Sequence, residues 1–189
     1  MTDVKDLFRR SVEGFGERVH AVGDDQWNAP TPCTDWDVRT LVNHIVYEEK
    51  WAPPLLEGKT IEEIGGDSFL GDLLGSDPKQ AWKEASTNAV EAGLDPKVEN
   101  TTVHLSFGDF SGPDYLGQLI TDHVIHAWDL ARGTGGDDKL DPELVEYVYG
   151  LMQIQAEAWR ASGAFANEVQ VPNDADTQTK LLALTGRAS

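Results

Sequence analysis

Apolar residues recur at helical spacing along most of the chain. Val4, Leu7, Phe8, Val12, Phe15, Val19 and Val22 form one stripe, which predicts a first helix from Thr2 to Val22 that stops near Gly23. Two prolines and Trp27 then predict a loop from Asp24 to Cys33. Thr34 to Asp37 has the form of a capping box, with the Thr34 hydroxyl on an early backbone N–H and Asp in place of the usual Glu or Gln. The second helix that follows is expected to end before Pro53-Pro54, which supply no N–H. Glu57 to Gly75 is rich in glycine and acids, a loop with room for one short helix. Asp77-Pro78 reads as an N-cap followed by proline at the first helical position, opening a third helix to near Ala92. Thr101 to Phe107 alternates and favours β structure, and with Gly108 to Gly112 it predicts a small extended excursion or hairpin. Ser111-Gly-Pro-Asp114 opens a fourth helix that Gly133 closes; about 20 residues would span about 30 Å. Asp141-Pro142-Glu143 caps a fifth helix to near Ser162, and Thr179 to Leu184 suits a short closing helix.

Long amphipathic helices with little strand define an all-α bundle of four main helices. The 189 residues are expected to form one domain, 1–189, with enough length to bury a core. The two long connections, Glu57–Gly75 and Gly93–Gly112, are candidates for lid-like segments. The net charge of −18 disfavours nucleic acid and anionic membranes as partners, since a phosphate-binding face needs clustered Lys and Arg. The single cysteine, Cys33, excludes an intrachain disulfide. The N-terminal stretch carries acids and no apolar run, so it does not read as a signal peptide, and no run of about 18 apolar residues suits a membrane span. A reduced, cytoplasmic setting is expected.

Candidate chemistry concentrates in the fourth helix. Tyr115, Leu119, Asp122, His126 and Leu130 share one stripe, so a carboxylate and an imidazole project from consecutive turns of an otherwise apolar face. A carboxylate facing a core is costly unless it is paired or binds metal. His44 follows Leu41 by three and precedes Trp51 by seven, which turns it inward from the second helix. His44, Asp122 and His126 therefore make a plausible divalent-metal set with open positions. The residues leave a second reading open: Asp122 paired with an arginine, and His44 a hydrogen-bonded core residue. His123 points about 100° away from Asp122 and is a candidate second-shell group or general base, with core packing as the alternative. His20, His104 and Cys33 are weaker candidates, Trp128 reads as core or pocket wall, and Asp129 and Arg132 are spaced to pair along the helix. No phosphate-cradling glycine loop, Gly-x-Ser-x-Gly elbow, Cys-x-x-Cys pair or His-Glu-x-x-His motif is present.

Two segments carry a family resemblance. Thr31-Pro-Cys-Thr-Asp-Trp-Asp-Val-Arg-Thr-Leu-Val-Asn-His44 resembles the first signature of the metal-binding domain of mycothiol-dependent maleylpyruvate isomerase, and Asp122-x-x-x-His126-Ala-Trp-Asp-Leu-Ala-Arg132 resembles the second. The resemblance implies a DinB-like, up-down-down-up four-helix bundle that binds a divalent metal. Matched position by position, its ligands fall on His44, Asp122 and His126. The isomerase has Glu at the position of Asp122, and a second, C-terminal domain for which 189 residues leave no room. The chain is thus similar to stand-alone actinobacterial relatives.

The expected function is that of a divalent-metal protein, with Zn²⁺ the best match and Fe or Ni compatible with the same donors. The resemblance implies mycothiol as a cosubstrate, and hence a transferase or isomerase that joins a small thiol to a small electrophilic substrate. The alternative is a non-catalytic module that binds metal or a small ligand.

Overall fold

The computed structural model describes residues 3–33, 35–163 and 165–188. Its backbone contacts divide the chain into two compact units, Met1–Asp138 and Lys139–Ser189.

In the first unit, helix α1 (Val4–Ala21) starts at Asp3, whose carboxylate accepts the Lys5 N–H at 3.1 Å. Helix α2 (Val38–Leu56) is capped by Asp37, which accepts the Thr40 N–H at 2.8 Å. The cap expected at Thr34 lies outside the described residues; Asp37 supplies the capping oxygen.

Contrary to expectation, α2 runs through Pro53 and Pro54. A proline removes its own N–H but keeps its carbonyl, and both carbonyls are used: Glu57 donates to Pro53 and Lys59 to Pro54, at 3.0 and 3.1 Å. Trp51, Ala52, Leu55 and Leu56 are all buried. Packing of this last turn outweighs the two lost ladder bonds.

The short helix α3 (Ile61–Ile64) has a full capping box between Thr60 and Glu63. Helix α4 (Pro78–Leu94) opens at Asp77 with proline in its first turn. A 3-10 turn (Pro96–Asn100) leads into the antiparallel hairpin β1 (Thr102–Leu105) and β2 (Gly108–Ser111), where Val103 pairs with Phe110. Helix α5 (Gly112–Thr134) is capped by Ser111, which accepts the Asp114 N–H. At Gly112 an added Cβ would stand 2.1 Å from the Val98 carbonyl oxygen, so only glycine fits this joint. The left-handed residue that ends α5 is Gly135, with φ of 71°, and not Gly133, which is still helical.

Helices α1, α2, α4 and α5 form a four-helix bundle in which α1 and α2 each pack against both α4 and α5. Ser11 meets His123, and Arg18 reaches Asp137, so α1 and α5 run in the same direction. Lys79 reaches His20, while Gly93 lies against Phe8, so α4 runs opposite to α1. These directions agree with the expected bundle. Phe8, Phe15, Leu41, Ile45, Leu116, Ile120 and Ile125 make its fully buried core. Among the described residues no helix is long and apolar enough to cross a membrane.

The stretch between α3 and α4 is tied to α2. Arg39 holds the Asp72 carboxylate and the Gly75 carbonyl, and Asn43 bonds Gly71 and Leu73. Phe69 stacks edge-on against Trp51, with ring centroids 5.2 Å apart.

The second unit contains helices α6 (Pro142–Ala161) and α7 (Thr177–Leu184), which pack together. Arg160 donates to the Leu184 carbonyl and Thr177 to Glu146.

Candidate metal centre

Helices α2 and α5 bring His44, Asp122 and His126 together. Each offers one ligand atom, and the three atoms lie within 4.8 Å of one another. His44 Nε2 is 2.9 Å from Asp122 Oδ2, and His126 Nε2 is 3.4 Å from Asp122 Oδ1. Asp122 thus bridges two imidazoles with its two oxygens. Donors bound tetrahedrally at about 2.0–2.1 Å stand about 3.3 Å apart. The two imidazole–carboxylate distances, 2.9 and 3.4 Å, lie on either side of that value, and all three donor atoms stay within 4.8 Å. The trio's donor chemistry, two imidazole nitrogens and a carboxylate, is that of a zinc or non-haem iron site.

The site is closed on one side and open on the other. The His126 side chain is 6% exposed, against 26% for His44 and 28% for Asp122. Trp36 forms a wall, its ring centroid 4.7 Å from His44 and 5.5 Å from His126. The preceding loop holds it there. Trp36 N–H donates to Cys33, and its carbonyl accepts from the Thr31 backbone and hydroxyl.

Asp129, fully buried one turn beyond His126, lies 3.0 Å from His126 Nδ1. That contact keeps a proton on Nδ1 and turns Nε2 toward Asp122. Arg132, expected to pair with Asp129, instead reaches Asp138 at 3.2 Å and lies over the Trp128 ring. Burial alone would lower the His126 pKa. The hydrogen bonds and charges of Asp122 and Asp129 outweigh it and raise the pKa to about 9. Burial likewise opposes ionisation of Asp122, but the charge of His44 and the hydrogen bonds of both histidines hold its carboxyl well below the usual range.

His123 faces elsewhere. It is 1% exposed, with Nδ1 3.1 Å from Ser11 Oγ and Nε2 2.5 Å from Glu49 Oε1. The Phe8, Phe15 and Trp82 rings pack around it. Glu49 is completely buried and its Oε2 has no hydrogen-bond partner among the described residues. Burial raises the Glu49 pKa, and His123 opposes the shift. The other candidates stand apart from the trio: His20 bonds the Gly16 carbonyl, His104 pairs with Asp109 across the hairpin, and Cys33 is half-buried.

Sequence reasoning assigned Asp129 to Arg132 rather than to His126, and passed over Glu48 and Trp36 as neighbours of the trio. Asp129 is three residues beyond His126, a spacing that places both on one helix face. Glu48 follows His44 by four, the same spacing as Asp122 to His126, so the signal was present. Trp36 comes from a loop and had no periodicity to reveal it.

Fold and site together define a four-helix bundle protein whose two-histidine, one-carboxylate donor set sits between two helices. The chain belongs to a known family: the model of the mycothiol maleylpyruvate isomerase N-terminal domain matches residues 8–131. Two curated relatives from Mycobacterium tuberculosis, from strains CDC 1551 / Oshkosh and ATCC 25618 / H37Rv, are each 29% identical to it over 185 residues. Each alignment covers 95% of this chain and 94% of the relative, and both relatives are described as uncharacterized proteins. No solved structure matches the chain.

Proposed function

We propose that this protein binds a divalent metal, Zn²⁺ by preference, through His44, Asp122 and His126. We further propose that it uses the metal to handle a small thiol, mycothiol by family membership, in a transferase or isomerase reaction on a small electrophile. The observation that carries the metal reading is the convergence of three donor atoms within 4.8 Å between α2 and α5. The thiol part rests on the family alone. A bound zinc ion would supply a Lewis acid that makes a coordinated thiol a thiolate at neutral pH.

The protein's own groups have separable roles in this reading. His44 and His126 present Nε2, and Asp122 presents its charge. Asp129 keeps His126 in the tautomer that leaves Nε2 free. Trp36 shields one side, while the exposed edges of His44 and Asp122 leave an approach for a small molecule. His123, with both ring nitrogens engaged in the core, would serve a reaction only through Glu49 and the packing of α5. A cytoplasmic, reduced setting and the absence of nucleic-acid or membrane partners fit the charge and the single cysteine.

One observation favours a second reading. Asp122 is satisfied by its two histidines as the structure stands, so the trio is self-consistent as a hydrogen-bond network or as a non-catalytic binding module. Elemental analysis of untagged protein decides between them. Wild type is expected to hold about one equivalent of metal, Asp122→Asn less, and His126→Ala none. Equal metal content in wild type and His126→Ala refutes the site. Metal without turnover or adduct formation toward a thiol and electrophile supports the binding module.

A further inference from the structure

Glu48 stands beside the trio without belonging to it. It follows His44 by one helical turn on α2, so both project from the same face toward α5. Its side chain is half-buried and makes no hydrogen bond or ion pair among the described residues. Its oxygens lie outside the group of donor atoms within 4.8 Å of one another, yet Asp122, His44 and His126 all act on its charge. Tyr115, two turns before Asp122 on α5, also senses it, and the buried Tyr115 hydroxyl has no hydrogen-bond partner among the described residues.

A carboxylate one helical turn from a histidine on the same face would ordinarily pair with it. Here Asp122 occupies both Nε2 atoms, Asp129 takes His126 Nδ1, and Glu48 is left over. An uncompensated, partly desolvated carboxylate is costly unless it has a task.

We propose that Glu48 is the proton acceptor of this site: it takes the proton that a thiol loses on binding beside His44, Asp122 and His126. The proposal rests on the metal reading above. In the step, the S–H bond would break, its electron pair would stay on sulfur as a thiolate that a metal held by His44, Asp122 and His126 would stabilise, and the proton would move to a Glu48 carboxylate oxygen. No oxidant or reductant is needed. In the metal-free protein burial first, then the Asp122 charge, push the Glu48 carboxyl up to about 7, with His44 and His126 opposing. Glu49, the adjacent acid on α2, is committed to His123.

The test uses the full chain loaded with Co²⁺, with 2-mercaptoethanol as the thiol probe. Thiol binding is followed by the cobalt spectrum. Protons released are counted by calorimetry in buffers of different ionisation enthalpy. Glu48→Gln keeps shape and removes the base; Glu48→Asp keeps a carboxylate one methylene shorter. Wild type is expected to release clearly fewer protons than Glu48→Gln, which should give up about one per thiol bound. Glu48→Asp should fall between them. Equal proton release in wild type and Glu48→Gln overturns the proposal while leaving the metal site standing, as does a wild-type spectrum unmoved by saturating thiol. Cobalt uptake that is absent in wild type, or unchanged in His126→Ala, removes the metal reading and the proposal with it.

Discussion

At the scale of single residues, two buried acids behave differently. Asp129 acts on the centre through His126, since its 3.0 Å contact fixes the imidazole tautomer and ring orientation. Asp129→Asn should therefore lower metal affinity by about 10–100-fold, measured by competition with a chelator. An affinity within twofold of wild type would dismiss that role. Glu49 acts on the fold. Its contact with His123 is fully buried and continues to Ser11, whose hydroxyl lies 2.8 Å from the Phe8 carbonyl. Removing one partner of a buried pair leaves the other without compensation, so Glu49→Ala should cost about 3–5 kcal/mol. Ser11→Ala removes one neutral hydrogen bond and should cost about 1 kcal/mol. Urea unfolding reads both, and equal losses would contradict this ranking.

At the scale of elements, α2 contributes one of the three candidate ligands and organises its surroundings. It presents His44 and Glu48 to α5, anchors the following loop through Arg39 and Asn43, and is started by Asp37. Asp37→Ala should cost about 1 kcal/mol of stability. The Thr40 hydroxyl and backbone N–H lower the Asp37 pKa below its ordinary 3.8. A group with a lowered folded pKa stabilises fully above the unfolded value, and loses that contribution as pH falls through the folded one. The wild-type advantage over Asp37→Ala should thus be intact at neutral pH and shrink only below about pH 4. An advantage that disappears between pH 5 and 6 would show that something other than this cap had been removed. The long connections, expected from sequence to be lid-like, include one that is pinned: Gly65–Gly75 is held by the Arg39 and Asn43 side chains and by Phe69 on Trp51.

At the scale of the whole molecule, ligand binding and stability are linked. An ion held by α2 and α5 binds only where both helices are packed, so it must stabilise the first unit. At a free concentration one hundred times the Kd the gain is about 2.7 kcal/mol, which should raise the melting temperature by several degrees. A chelator should reverse the rise, and His126→Ala should abolish it. A melting temperature indifferent to Zn²⁺ and Co²⁺ in the wild type would count against the centre.

Helical stripes and caps determined the elements. Asp77-Pro78, Ser111 to Asp114 and Asp141-Pro142 open helices as read, because a cap is a local hydrogen bond between residues two or three apart. The Asp122–His126 pair was legible for the same reason, being one turn of one helix. Where local rules failed, packing had overruled them: α2 continues through Pro53-Pro54 because Leu55 and Leu56 are buried, and α5 passes Gly133 to end at Gly135. The sequence also placed His44 on an inward face. That it meets Asp122 rather than another helix depends on how α2 and α5 are juxtaposed, a contact across 78 residues of chain. The turn of His123 toward Ser11 and Glu49, and the seating of Trp36 over both histidines, likewise depend on distant partners. Periodicity reports which face a side chain takes; only the packed bundle decides what that face meets.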